Sequence, residues 1–191
     1  MPSIQLFGGA IRATYPSNLT DASDLRQVPD TQEVYLSNDS DLSLILEVLE
    51  LVTEEGAADD LSAAVKYHYS SLAHDNTALS SSIASISLPS PSPPPPTSTT
   101  TPPVLGPTTL IGTQVVSKFN KSAEEADTVL ILLALWRLPS KNADLVLTVN
   151  YPIKKEGKGE EESGDVARAA FEEAVRTLRI EDFGLFAGGD E

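Results

Sequence analysis

The chain has 191 residues, the size of one ordinary domain or at most two small ones, and with 40% hydrophobic residues it can bury a core. Its 28 acidic and 13 basic residues give a formal charge of -15, which makes nucleic acid and other polyanions poor partners over most of the surface. The absence of cysteine excludes disulfides, thiolate catalysis and cysteine-ligated zinc, and it suits a reducing compartment.

The first ten residues lack the basic start and the long apolar run of a signal peptide. The longest apolar run, Val129 to Trp136, has eight residues, far short of the roughly 20 that a membrane helix needs. A soluble, intracellular protein without membrane association is therefore expected. On that expectation the Asn-x-Ser/Thr triplets at Asn18, Asn38 and Asn120 are chance matches.

Gln32 to Ser37, bounded by Pro29-Asp30 and Asn38-Asp39, reads as a strand. Leu42 to Leu51 fits two periods: Leu42, Ile45, Leu46 and Leu49 make a helical face, and Leu42, Leu44, Leu46 and Val48 make one side of a strand. Residues 57 to 74 predict a helix, with Leu61, Ala64, Val65, His68, Tyr69 and Leu72 on one face and Asp59 and Asp60 in the first turn, where they suit the helix dipole. Residues 89 to 107 hold nine of the 14 prolines among serines and threonines, a composition that cannot bury a core. With no basic flank and no tyrosine, this stretch reads as a spacer loop rather than an SH3 or WW ligand.

Leu110 to Phe119 alternates as a strand does. Asp127 to Leu138 and Asp144 to Tyr151 predict a hairpin with the five-residue loop Pro139 to Ala143, its first strand apolar on both faces as in a sheet covered from both sides. Residues 154 to 164, with Glu160, Glu161 and Glu162, read as a solvated acidic loop. Ala167, Ala170, Phe171, Ala174, Val175 and Leu178 mark a final amphipathic helix with Ser163 or Asp165 as its N-cap, and Glu172 and Glu173 on its outer side. The sum is an α+β chain: a mostly antiparallel sheet with helices packed on it, in one domain over residues 1 to 191.

The signals for chemistry are few. His68 and His74 are turned about 240 degrees apart on one helix and cannot share a metal, and His68 on the apolar face suits a hydrogen-bonded core histidine. Nucleophile-elbow, phosphate-loop and dinucleotide motifs are absent from the sequence. The charge is uneven: residues 1 to 88 carry 13 acids against 3 bases, and residues 104 to 191 carry 15 against 10. Within the first half, Asp21, Asp24, Asp30 and Glu33 crowd together with a single arginine, Arg26, ahead of the strand that starts at Gln32. Capping and turn roles account for some of these residues, and a negative surface for a basic partner accounts for their crowding.

The stretch Asp21-Ala22-Ser23-Asp24-Leu25-Arg26-Gln27-Val28-Pro29-Asp30-Thr31-Gln32-Glu33-Val34-Tyr35 resembles the Ran guanine nucleotide release factors, the Mog family. The resemblance opens at Leu6-Phe7-Gly8-Gly9-Ala10. It continues through Lys66-Tyr67-His68-Tyr69, Ala134-Leu135-Trp136-Arg137-Leu138-Pro139 and Asn142 to Pro152, and closes at Leu185-Phe186. The proline-rich stretch and residues 156 to 164 depart from it as insertions.

The resemblance implies an α/β/α sandwich of about six antiparallel strands between helices, an architecture shared with extrinsic photosystem proteins of the PsbP type, and it makes Leu42 to Leu51 a strand. It implies binding to the small GTPase Ran, loosening of the bound guanine nucleotide and support of nuclear protein import, in nucleus and cytoplasm, without cofactor or covalent chemistry. Shared fold alone would not license that function. The implied contact residues are Asp21, Asp24, Arg26, Asp30, Gln32 and Glu33, on a monomer. The competing readings are an acidic module of the same fold that binds another basic protein, and a small enzyme working through paired carboxylates.

Overall fold

The structure, a computed structural model, describes residues 1–90, 102–117, 126–153 and 160–186. Ten strands and two α-helices are present among them: β1 (Ser3–Leu6), β2 (Ile11–Thr14), β3 (Leu19–Asp21), β4 (Gln32–Ser37), β5 (Ser43–Glu50), α1 (Leu61–Asp75), β6 (Ser80–Ser87), β7 (Leu105–Val116), β8 (Asp127–Leu138), β9 (Ala143–Ile153), α2 (Glu160–Thr177) and β10 (Arg179–Ile180). Seven strands form one sheet in the order β3-β4-β5-β9-β8-β7-β6, and β1-β2-β10 form a second, smaller one. Every strand pairing is antiparallel.

The centre of the large sheet is β8 paired with β9, and alternation along them divides the core in two. Leu130, Leu132, Ala134 and Trp136 of β8, with Leu145, Leu147 and Val149 of β9, face Ala167, Phe171, Ala174 and Leu178 of α2 and the small sheet's Leu6, Ile11 and Ala13. Ile131, Leu133 and Leu135, with Val146, face Ala64, Val65 and Tyr69 of α1. The two-sided apolar run in β8 is thus the signature of a central strand covered on both faces. Leu42 to Leu51 resolves as strand β5, whose Leu44 and Leu46 are fully buried in the α2-side core.

Several boundaries differ from the sequence reading. The main sheet has seven strands rather than about six. The serine-rich β6 carries too little apolar signal to be recognised, and β1, β2, β3 and β10 are only two to four residues long. Helix α1 starts at Leu61, and Asp60 caps it by accepting from the Ser62 N–H at 2.7 Å, so Asp59 and Asp60 precede the first turn. Strand β7 starts at Leu105, which takes residues 105 to 107 out of the expected spacer; residues 91 to 101 lie outside the described residues, as do Lys118 and Phe119.

The β8–β9 loop shortens to Pro139–Asn142, with Asn142 in the left-handed region at φ 49, a conformation asparagine tolerates. Helix α2 begins at Glu160, so Ser163 and Asp165 are inside it and neither is its N-cap. Glutamates are good helix formers and suit a first turn, which is why that part of the acidic stretch is helix. The remainder of that expected loop, residues 154 to 159, lies outside the described residues. Among the described residues no helix is long and apolar enough to cross a membrane.

A charged network is buried between the sheet and α1. Asp144 of β9 is fully buried and stands opposite Arg137 of β8 in the strand register. Arg137 Nε donates to Asp144 Oδ1 at 2.8 Å, and its two terminal nitrogens donate to the carbonyls of Ala57 and Val52. His68 Nε2 lies 2.8 Å from Asp144 Oδ2, which also accepts from the Val52 N–H at 3.1 Å. Burial acts first on the Asp144 carboxyl, and upward, but the hydrogen bonds from His68, Arg137 and Val52 outweigh it and hold the group below its ordinary value.

Removing one partner of such a pair leaves an uncompensated charge, so Asp144→Leu should cost about 3–5 kcal/mol in denaturant unfolding. The pKa of Asp144 is lower folded than unfolded. Its contribution is therefore complete above the ordinary value of 3.8 and disappears as the pH falls through the folded value. Unfolding free energies should accordingly drop below about pH 4 in the wild-type chain, and Asp144→Asn should flatten that part of the profile.

Candidate functional site

The edge of the large sheet formed by β3 and β4 carries the acidic segment. Asp21 ends β3 opposite Tyr35 and accepts from the Ser23 N–H at 2.8 Å, which caps the short 3-10 turn Ala22–Asp24. The chain then runs through an exposed loop to Pro29, whose carbonyl accepts from the Gln32 N–H at 2.9 Å and starts β4. Asp24, Arg26 and Asp30 are exposed on this loop, and Leu25 between them is 69% exposed. Arg26 forms no ion pair with a described carboxylate.

Gln32 and Glu33 point to opposite faces, as adjacent strand residues must. Glu33 turns toward the α2 side, where its Oε1 accepts the backbone N–H of Phe7. Burial raises its pKa, the Phe7 N–H acts to lower it, and the charge of Asp21 raises it again. Tyr35, two residues on and on the same face, is half-buried with its ring edge-on to Tyr15 at 5.3 Å. Burial first, then the charges of Asp21, Glu33 and Asp24, push its phenol up to about 12. The fully buried Tyr15 is raised by burial, Tyr35 and Glu33, and among the described residues its hydroxyl has no hydrogen-bond partner.

Three predicted residues, Asp21, Asp24 and Glu33, therefore gather around Tyr35, and Arg26 and Asp30 flank them on the loop. Gln32 is separate: its Nε2 donates to Glu47 Oε1 at 2.5 Å on the α1 side, where burial raises the Glu47 carboxyl, the Gln32 bond lowers it, Asp75 raises it and His68 lowers it. The tyrosine pair is absent from the predicted set, although the Glu33-x-Tyr35 alternation places Tyr35 beside Glu33 once β4 is recognised. The buried Arg137–Asp144 pair is absent too; its signal was a charge at the loop end of each of two apolar strands. Among the described residues no three histidine or carboxylate side chains converge as a metal site.

Fold and site together define an acidic α+β protein that presents a carboxylate cluster at one sheet edge. A family described as the Ran-interacting Mog1 protein matches residues 4–152, and the chain belongs to that family. It is 33% identical over 188 residues to the Ran guanine nucleotide release factor of Danio rerio, covering 95% of this chain and 97% of that one. It is 34% identical over 151 residues to the nuclear import protein mog1 of Schizosaccharomyces pombe, covering 78% and 76%. The crystal structure of the Saccharomyces cerevisiae Ran-binding protein Mog1p superposes with a TM-score of 0.73 at 29% identity, over 97% of this chain and 98% of that one.

The clustering around Tyr35 has a spectroscopic signature. In an alkaline titration by phenolate absorbance, the signal lost in Tyr35→Phe should have its midpoint near 12, and Asp21→Asn should move that midpoint down by removing one of the charges that raise it.

Proposed function

We propose that this protein binds the small GTPase Ran, promotes release of its bound guanine nucleotide and thereby supports nuclear protein import. The observation that carries the reading is the carboxylate cluster of Asp21, Asp24 and Glu33 around Tyr35, with Asp30 and Arg26 exposed beside it. Family membership and the names of the relatives point to the same partner.

A small GTPase holds its nucleotide through lysine, backbone amides and magnesium at the phosphates. A docked carboxylate surface competes with the phosphates for those cationic groups and repels the phosphates themselves, and both effects weaken nucleotide binding. Linkage makes the relation reciprocal, so nucleotide weakens the complex by the same factor. Arg26 serves as a contact of its own, and Gln32, turned to Glu47, acts by bracing β4 from behind. No covalent bond changes in this scheme. The protein works as a monomer, in nucleus and cytoplasm, and without cofactor.

Nucleotide release from Ran, followed with a fluorescent guanine nucleotide, should fall at least about tenfold in the Asp30→Lys, Glu33→Lys double variant, since charge reversal at an interface costs several kcal/mol. Activity of the wild-type chain should decline as salt rises. Unchanged release in a folded double variant would remove these residues from the interface. Retention of another basic protein in place of Ran would turn the reading to an interaction module of the same fold.

A further inference from the structure

The run Leu6-Phe7-Gly8-Gly9-Ala10 lies outside the acidic segment, yet it reaches into it. Between β1 and β2, which pair through Leu6 and Ile11, three successive residues take positive φ: Phe7 at 49, Gly8 at 64 and Gly9 at 98. A bulky residue in this region is unfavoured and persists only where its surroundings hold it. Here the turn is held from two sides. The Ala10 carbonyl accepts from the N–H groups of Glu181 at 2.8 Å and Asp182 at 3.1 Å, just past β10, and the Phe7 N–H donates to Glu33 Oε1. The left-handed run carries Phe7 out of the β1–β2 ladder and leaves its N–H for that carboxylate. Among the described residues Glu33 Oε2 accepts no hydrogen bond.

We propose that the Phe7–Ala10 turn is a positioning element for Glu33: the Phe7 amide fixes one carboxylate oxygen so that the other is presented to a cationic group of the partner. The proposal rests on the Ran reading above and adds to it a group outside the acidic segment. The bond has a second effect. A hydrogen bond to the charged form favours ionisation, so the turn opposes burial and Asp21 and widens the pH range over which Glu33 is an anion. The small sheet thereby joins the interface without supplying a side chain to it.

The first test uses the full wild-type chain. In an NMR pH titration, the Phe7 amide resonance should move with the same midpoint as the Glu33 carboxyl carbon; an amide that ignores that titration would overturn the proposal. The second compares two strained turns. Gly9→Ala forces an alanine to φ 98, beyond the ordinary left-handed well, while its Cβ meets nothing closer than Gln5 Oε1 at 3.5 Å, so the change disturbs backbone rather than packing. Gly56→Ala imposes a similar penalty, at φ 83, in the turn before α1.

Gly9→Ala should shift the Glu33 midpoint upward and slow Ran nucleotide release about tenfold near that midpoint, the size expected for a hydrogen bond to a charged group, with partial recovery at higher pH, where the carboxylate is ionised but no longer positioned. Gly56→Ala should lower stability and leave the Glu33 midpoint and the pH profile of release in place. A Glu33 midpoint unmoved by Gly9→Ala, or release that keeps the wild-type rate in that variant, would reduce the turn to scaffolding. Wild-type release rates in Glu33→Gln would instead remove Glu33 from the Ran site while the Phe7 titration still stood. If Gly9→Ala fails to fold, the wild-type titration decides.

Discussion

A carboxylate placed where no water reaches it governs the assembly of this fold. Asp144 is fully buried in a strand that is largely apolar, and its charge is tolerable only with a full complement of donors. Arg137 comes from the neighbouring strand, His68 from α1 and the Val52 amide from the segment after β5. Arg137 brings its own requirement, met by the Val52 and Ala57 carbonyls. One buried charge thereby fixes the loop end of the β8–β9 hairpin, the passage from β5 into α1 and the rotation of α1 about its axis. The second core, built on Ala64, Val65 and Tyr69, follows from that rotation.

The same logic extends to the edge of the sheet. His68 also acts on Glu47, and Glu47 accepts from Gln32, so β4 is tied to the α1 side by polar contacts. On the other side β4 is tied to the small sheet by Glu33 and Phe7. The two ties come from adjacent residues because a strand alternates, and together they clamp the strand that carries the acidic cluster. The large negative charge of the chain is thus of two kinds. Exposed acids such as Glu172 are solvated, whereas Glu33 and Glu47 are held against the cost of burial by specific donors.

How far the sequence revealed this depended on the range of the interactions. β4, β5, β8 and β9 announce themselves through local alternation and long apolar runs. β6 does not, because a row of serines at an exposed edge gains little from burial and its place in the sheet comes from backbone pairing with β7. The start of α2 was misplaced because three glutamates suit a solvated loop and a helix N-terminus equally well. In the site, the crowding of Asp21, Asp24 and Glu33 was legible, but the division between Gln32 and Glu33 needed the strand phase. The roles of Phe7 and Tyr15 needed contacts between residues 26 and 20 positions apart in the chain, which no local pattern encodes.

Strand order also decides where this molecule can be altered. The acidic cluster belongs to the β3 edge of the seven-stranded sheet, and the proline-rich connection leaves β6 and returns to β7 at the opposite edge. At an inter-strand spacing of about 4.8 Å, six gaps separate the two edges by roughly 29 Å. A change of chain length at that connection therefore enters the sheet at the edge opposite to the one where the Ran contact is proposed. The same separation makes it a natural attachment point for a fluorophore or an affinity handle in experiments that probe the proposed contact at the opposite rim.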